Sequence, residues 1–361
     1  MSGRGRGAER SPARAAALVA TVTVATSVVL TLLHVPSSVL FGALLGGMAH
    51  ALTSTTPLAL PAWCFRVGQG LVGVTIGSLV SLDALAAMGG SLVAILLVTA
   101  GTVALSLAAG RALALRRDVS RVTGAFAMVA GGASGVVAVA RDLGADDRVV
   151  TIVQYLRVFV VLVTMPLVTA IVFHPAHGVG TFDVAGEPVA ADLLYTLVAV
   201  VLGLLVARAV PISTATLLGP LAVAVALTAT GWLGTPIVPV PVQWLAYAII
   251  GVQVGLRFTR ESLATITRML PVVLLIIVGM VLATALMGAL LAWLTPVDGL
   301  TAYLATTPGG LFAVLATAAD SGSDVTYVMA VQLLRLLVIL AFTPLLARYL
   351  RARPGRPRDG S

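Results

Sequence analysis

Long apolar runs recur along this chain, at residues 15–33, 91–113, 149–172, 269–294 and 326–346, each nearly free of charge. About 20 such residues in a helix cross the roughly 30 Å hydrocarbon layer of a bilayer. Helices satisfy every backbone polar group internally, which lipid demands. The pattern predicts an all-α integral membrane protein.

The internal duplication sharpens that expectation. Gly73, Val74 and Gly77 recur as Gly251, Val252 and Gly255. Gly131 and Gly132 recur as Gly309 and Gly310. Asp142, Gly144 and Asp146 recur as Asp320, Gly322 and Asp324, and Gln154, Arg157 and Pro166 as Gln332, Arg335 and Pro344. Each pair is 178 residues apart, whereas Val35-Pro36 answers Val210-Pro211 at 175. The expected organisation is an Arg-rich cytoplasmic tail at 1–14, membrane repeat 1 at 15–172, an extracytoplasmic linker at 173–190, membrane repeat 2 at 191–348 and a second Arg-rich tail at 349–361. The N-terminal arginines followed by an apolar stretch resemble a signal peptide without a small-residue cleavage site, and read as a retained first helix.

Each copy reads as three spans, a further long span, a glycine-rich polar stretch and a last span. The polar stretch covers residues 124–144 in the first copy and 301–322 in the second. Either it crosses the bilayer, giving six spans per copy and parallel repeats, or it enters and returns, giving five and inverted repeats. Arginine arbitrates, because positive charge in short loops stays cytoplasmic. With five crossings and the N-terminus inside, Arg111, Arg116, Arg117, Arg121, Arg141, Arg148, Arg208, Arg257, Arg260, Arg268 and the arginines at 348–358 all fall inside. Asp83, Asp183, Glu187 and Asp298 fall outside. With six crossings, Arg141, Arg148, Arg208, Arg257, Arg260 and Arg268 would be stranded outside. The expectation is two inverted repeats of about five transmembrane helices, each with a Gly-rich broken or re-entrant hairpin. Matched interruptions in both halves are the architecture of many secondary transporters.

The 361 residues are 59% hydrophobic and 10% charged, against about a quarter charged in soluble domains. All 22 basic residues are arginine and the net charge is +8. Direct nucleic-acid binding is not expected, since no soluble domain remains to present a basic patch. The arginine-only usage points to a bacterial source, hence to the inner membrane with both termini cytoplasmic. The single cysteine, Cys64, makes no internal disulfide. His34, His50, His174 and His177 offer only the His174/His177 pair, with no carboxylate at ligand spacing. No phosphate-binding loop or nucleophile elbow is present. No catalytic residue, metal site or cofactor is expected, and the chain does not read as an enzyme.

The candidate chemistry lies in polar residues at membrane depth. Arg157 and Arg335 fall about ten residues into the last span of each copy, each three residues after a glutamine, Gln154 or Gln332, which places both on one helix face. A charge there costs about 3 to over 10 kcal/mol and needs a partner or a task. Three readings stand: the arginines bind an anionic solute, for which the guanidinium fork is suited, they hold carbonyls freed by the broken hairpins, or they serve packing or meet lipid. Gly131, Gly132, Pro308, Gly309 and Gly310 complete the candidate solute site. Asp142 and Asp320, with Asp146 and Asp324 at spacing four, either couple an ion gradient or cap the next helix. No other carboxylate is expected to be well buried.

These residues resemble the membrane AbrB family. The resemblance rests on Gly42-Ala43-Leu44-Leu45-Gly46, on Gly70-Leu71-Val72-Gly73-Val74-Thr75-Ile76-Gly77 with its echo Ile249-Ile250-Gly251-Val252-Gln253-Val254-Gly255, and on Thr307-Pro308-Gly309-Gly310 followed by Gln332-Leu333-Leu334-Arg335. It covers residues 20–348 and implies a duplicated hydrophobic domain. Family members are labelled regulators of gene expression or ammonia monooxygenases. A monooxygenase would need copper or iron ligands that four scattered histidines do not supply. A regulator would act indirectly, through a partner or a sensed solute. The departure from symmetry is Ala130, which stands where the second copy has Pro308, so the second hairpin is expected to break more sharply. The leading expectation is a secondary-transporter-like carrier or sensor of a small, anionic solute in the lipid bilayer, with homo-oligomerisation left open.

Overall fold

The computed structural model describes residues 12–54, 58–116, 119–129, 140–141, 143–175, 189–210, 214–230, 237–260, 267 and 269–351. Among these residues there is no strand. In chain order the helices are α1 (Pro12–Leu32), α2 (Ser38–Thr53), α3 (Ala62–Ser78), the short α4 (Leu82–Ala87), which runs through a 3₁₀ turn into α5 (Leu92–Leu113), and α6 (Arg121–Met128). There follow α7 (Asp147–Val168) with a terminal π-turn, α8 (Val189–Ala209), α9 (Ala215–Ala229) and α10 (Val240–Gly255). The last are α11 (Leu270–Leu294), α12 (Gly299–Thr306), α13 (Leu311–Asp320) and α14 (Val325–Arg351).

Among the described residues six segments are long and apolar enough to cross a membrane: Ala15–Leu32, Leu82–Leu113, Asp147–Phe173, Val189–Ala209, Leu270–Leu294 and Val325–Thr343. Four shorter apolar helices, α2, α9, α10 and α13, accompany them. A helix that is apolar all round suits a bilayer or a protein core. α11 has the former character, with Leu275, Leu282, Leu286 and Trp293 all strongly exposed.

Two compact units divide the chain, and each draws on both sequence copies. The first holds α1–α3 with α8–α10; the second holds α4–α7 with α11–α14. The repeat is a relation along the sequence, while each unit is assembled from equivalent parts of the two copies.

Small residues explain the first unit. A methyl group at Gly251 or Gly255 of α10 would collide with the carbonyl oxygen of Leu40 or Leu44 on α2. At Gly73 or Gly77 of α3 it would collide with the carbonyl of Leu217 or Leu221 on α9. The glycines are separated by 178 residues and the leucines by 177, so equivalent positions make equivalent contacts. This reciprocal exchange is what an internal two-fold relation produces, using the close helix approach that a small-xxx-small stripe permits. The glycines at the centre of the sequence resemblance are thus packing residues.

Asp192 of α8 belongs to the same unit and corrects an expectation. It is 9% exposed and accepts the Ile237 N–H at 3.1 Å. No carboxylate beyond those beside the glycine-rich stretches is expected from the sequence to be well buried; Asp192 turns inward because the segment before α10 presents an amide that needs an acceptor.

In the second unit α5 packs against α11. Each of these also contacts the short helix of its own copy, α6 or α12, and the last helix of the other, α14 or α7. Leu113, Phe126, Val153, Ile277 and Met280 are buried in one apolar core there.

Candidate functional site

The short helices α6 and α12 begin alike. Ser120 Oγ accepts the Thr123 N–H at 3.0 Å, and Asp298 Oδ1 accepts the Thr301 N–H at 2.9 Å. Such caps satisfy amides that have no partner within the helix. The same threonines then tie down the far end of the polar stretch. Thr123 Oγ1 accepts the Asp146 N–H and Thr301 Oγ1 accepts the Asp324 N–H, both at 3.0 Å. In each copy the chain therefore comes back beside the point where the short helix started. Asp146 caps α7 by accepting the Arg148 and Val149 amides at 3.0 and 3.1 Å, and Asp324 accepts the Tyr327 amide at 2.9 Å.

The other end of each short helix is where the candidate residues meet. α12 stops at Thr306, and the non-helical residues 307–310 lead into α13. Gly310 there has φ 65°, ψ 54°, in the left-handed region that glycine adopts without penalty. A helix C-terminus leaves carbonyls without intrahelical donors and carries partial negative charge. Gln332 Nε2 donates to the carbonyls of Leu304 at 2.9 Å and Thr307 at 3.2 Å. Arg335 Nη1 donates to Thr307 O at 2.8 Å and to Thr306 O at 3.4 Å, while its Nη2 donates to Gln332 Oε1.

The first copy repeats this clasp. Gln154 Nε2 donates to Phe126 O at 2.9 Å and Arg157 Nη1 to Met128 O at 2.8 Å, the acceptors being the 178-residue equivalents of Leu304 and Thr306. Both glutamines and both arginines are buried; Arg157 is 4% exposed and Arg335 is 8% exposed. Of the three readings of these arginines, the structure contains the carbonyl-holding contacts directly.

Arg157 also has a buried Nε without a hydrogen-bond partner. Among the described residues neither arginine has a carboxylate partner, and the ion pair Arg141–Asp147 sits at the exposed end of α7. Arg335 also lines a narrow crevice with Thr99 and Thr102 of α5 and Thr306 of α12, closed by Val98, Ala305 and Val331 and too tight for a water molecule.

Gly131, Gly132 and Asp142 lie outside the described residues. Pro308, Gly309 and Gly310 form the break between α12 and α13 as the sequence places them. Asp320 is the last residue of α13 and half-buried. The sequence reading missed Thr123 and Thr301, although the 178-residue spacing pairs them. It also passed over Thr99 and Thr306, which resemble any membrane-helix threonine.

Helices able to span a bilayer, and buried cations seated on the ends of short helices, define a multi-pass, all-helical membrane protein. The chain belongs to the AbrB family: residues 39–351 match the family model described as "Transition state regulatory protein AbrB". It is similar to the "Putative regulator AbrB" of Escherichia coli (strain K12), with 35% identity over 88% of this chain and 91% of the relative. It is also similar to the "Uncharacterized protein YhjN" of Bacillus subtilis (strain 168), with 23% identity over 81% of this chain and 80% of the relative.

Proposed function

We propose that this chain is a secondary-transporter-like carrier or sensor of a small anionic solute in a bacterial inner membrane. The solute engages the second unit near Arg157 and Arg335, at the glycine-rich breaks. The observation that carries this reading is the duplicated clasp, in which a Gln and an Arg from a spanning helix hold the end of a short helix in both copies. Non-helical backbone at membrane depth survives only where protein or a water-filled cavity satisfies it. Transporters use such interrupted helices to present charged helix ends to solutes and ions.

The same contacts support the topology. At 1.5 Å per residue, α12 and α13 each extend about half of the roughly 30 Å hydrocarbon layer. The Thr123–Asp146 and Thr301–Asp324 bonds return the chain to its entry point, as a re-entrant hairpin requires. With the hairpins re-entering, an odd number of crossings separates equivalent helices, so the two copies run in opposite directions. Both termini and most arginines then face the cytoplasm.

The description of the family and the name of the Escherichia coli relative favour a second reading, an indirect regulator that senses a solute and passes the signal to a partner. One experiment separates them. Thermal unfolding of the purified protein is followed against panels of organic acids, amino acids and phosphates, since a ligand that binds the folded state raises its midpoint. Any stabilising anion is then tested for uptake into liposomes. Stabilisation with uptake establishes the carrier; stabilisation without uptake establishes the sensor; no stabilising anion in the panel counts against both.

A further inference from the structure

The crevice beside Arg335 breaks the internal symmetry. Shifted by 178 residues, Thr99, Thr102 and Thr306 correspond to Ile277, Met280 and Met128. Those three are at most 2% exposed and belong to one closely packed apolar core together with Val153 and Ala127, the counterparts of Val331 and Ala305. Among the described residues, the counterparts of the crevice lining on the Arg157 side are therefore hydrocarbon, where the Arg335 side has hydroxyl groups. Repeats that keep the glutamine and the arginine of the clasp at one spacing, yet differ between apolar and hydroxyl at three positions of the crevice, have acquired a different task at that point.

Thr99 supplies the second indication. It is 2% exposed, and its Oγ1 has no hydrogen-bond partner. Membrane threonines ordinarily return their hydroxyl to the preceding turn of their own helix, as Thr102 does to Thr99 O at 2.8 Å. Thr99 keeps its hydroxyl for the crevice. Arg335 has five N–H donors, and among the described residues its clasp engages three acceptors, which leaves donors for a ligand. Arg157 also has a spare donor, Nε, but among the described residues the counterparts of Thr99, Thr102 and Thr306 are the apolar Ile277, Met280 and Met128.

Resting on the solute-binding reading above, we propose that the solute's oxyanion, carboxylate or phosphate, is received on the Arg335 side alone. Arg335 and Thr99 bind it, and Arg157 serves the fold; Thr306 lines the site with its hydroxyl turned to the Thr284 carbonyl at 3.0 Å. A guanidinium with a flanking free hydroxyl offers the convergent donors that an oxyanion accepts, at a depth where water does not compete. The crevice is too narrow for water as described, so entry requires α5 to draw back from α12.

The test uses the full chain with Cys64→Ser, carrying Thr99→Cys or, at the equivalent position, Ile277→Cys. Each thiol is exposed to anionic 2-sulfonatoethyl methanethiosulfonate and to its cationic trimethylammonium analogue. The ratio of the two rates cancels differences in simple exposure. The expected result is reaction at position 99, at least tenfold faster with the sulfonate than with the cation, and slowed by millimolar acetate or phosphate. Position 277 should show no anion preference. Arg335→Lys should retain the preference and Arg335→Gln should remove it. No modification at position 99, a cation preference there, or equal anion preference at both positions would overturn the proposal. Failure of liposome uptake with the expected labelling pattern would instead remove the carrier reading and leave this site standing.

Discussion

Asp324 donates its backbone N–H to Thr301 Oγ1 at 3.0 Å, joining positions 23 apart in the chain across most of α12, the Pro308 break and α13. Thr123 and Asp146 form the equivalent bond at the same distance. The bond fixes the mouth of each interrupted segment, while the Gln–Arg clasp fixes its tip.

Thr301→Val keeps the shape of the side chain and removes the acceptor. A buried amide left unpaired costs about 1–3 kcal/mol, so the thermal midpoint in detergent should fall clearly. Thr301→Ser should lose much less. An unchanged midpoint for Thr301→Val would show that the bond does not hold the mouth.

Arg157→Gln and Arg335→Gln each remove a charge-assisted bond to a helix-terminal carbonyl, worth about 1.5–3 kcal/mol. Both variants should unfold at lower temperature than the parent. Only the Arg335 variant should also lose stabilisation by an anion, measured as the ligand-induced shift of each variant against its own unliganded midpoint.

Gly310→Ala forces a Cβ into a left-handed conformation, at a cost of about 1–2 kcal/mol. The added methyl would also press on Leu162 Cδ2 at 3.2 Å. A midpoint shift of this size is expected, whereas Gly279→Ala, with nothing within 4 Å of its Cβ position, should be neutral or slightly stabilising.

Gly255→Val should be far more damaging. The side chain would run into the Leu44 carbonyl and the Met48 amide, both backbone atoms that cannot step aside. Gly77→Val meets the Leu221 carbonyl in the equivalent contact. Both should abolish recovery of folded protein on size-exclusion chromatography, and normal recovery of either would refute the packing account.

The topology makes its own forecast. In a Cys64→Ser chain, an impermeant thiol reagent outside spheroplasts should label Asp83→Cys and leave Arg260→Cys untouched. Labelling of both would favour six crossings per copy.

The parts of this molecule that sequence exposes are those governed by local chemistry. Apolar length marks the spanning helices, and the 178-residue spacing carries over to contacts as well as residues: Gln154 meets Phe126 as Gln332 meets Leu304. The Thr-Pro-Gly-Gly run marks the α12–α13 break because proline and glycine cannot continue a helix there. Other features depend on partners distant in the chain. Nothing near Asp192 in sequence foretells that it turns toward Ile237, 45 residues on. Nothing in α2 foretells that Leu40 lies against Gly251. Thr99 acquires meaning only when Arg335 is seen to share its crevice.

The crossed membership of the two units has a consequence for how the chain is built. Because α2 waits for α10, and α5 waits for α11, neither unit can be completed from one copy alone. Within the first half α1 packs on α2 and α5 on α6, but α2 and α5 must wait for these other partners until the second half has been synthesised. A polypeptide of half this length would have to associate with a twin to complete either unit, and the full-length chain is such a pair made permanent by a peptide linker.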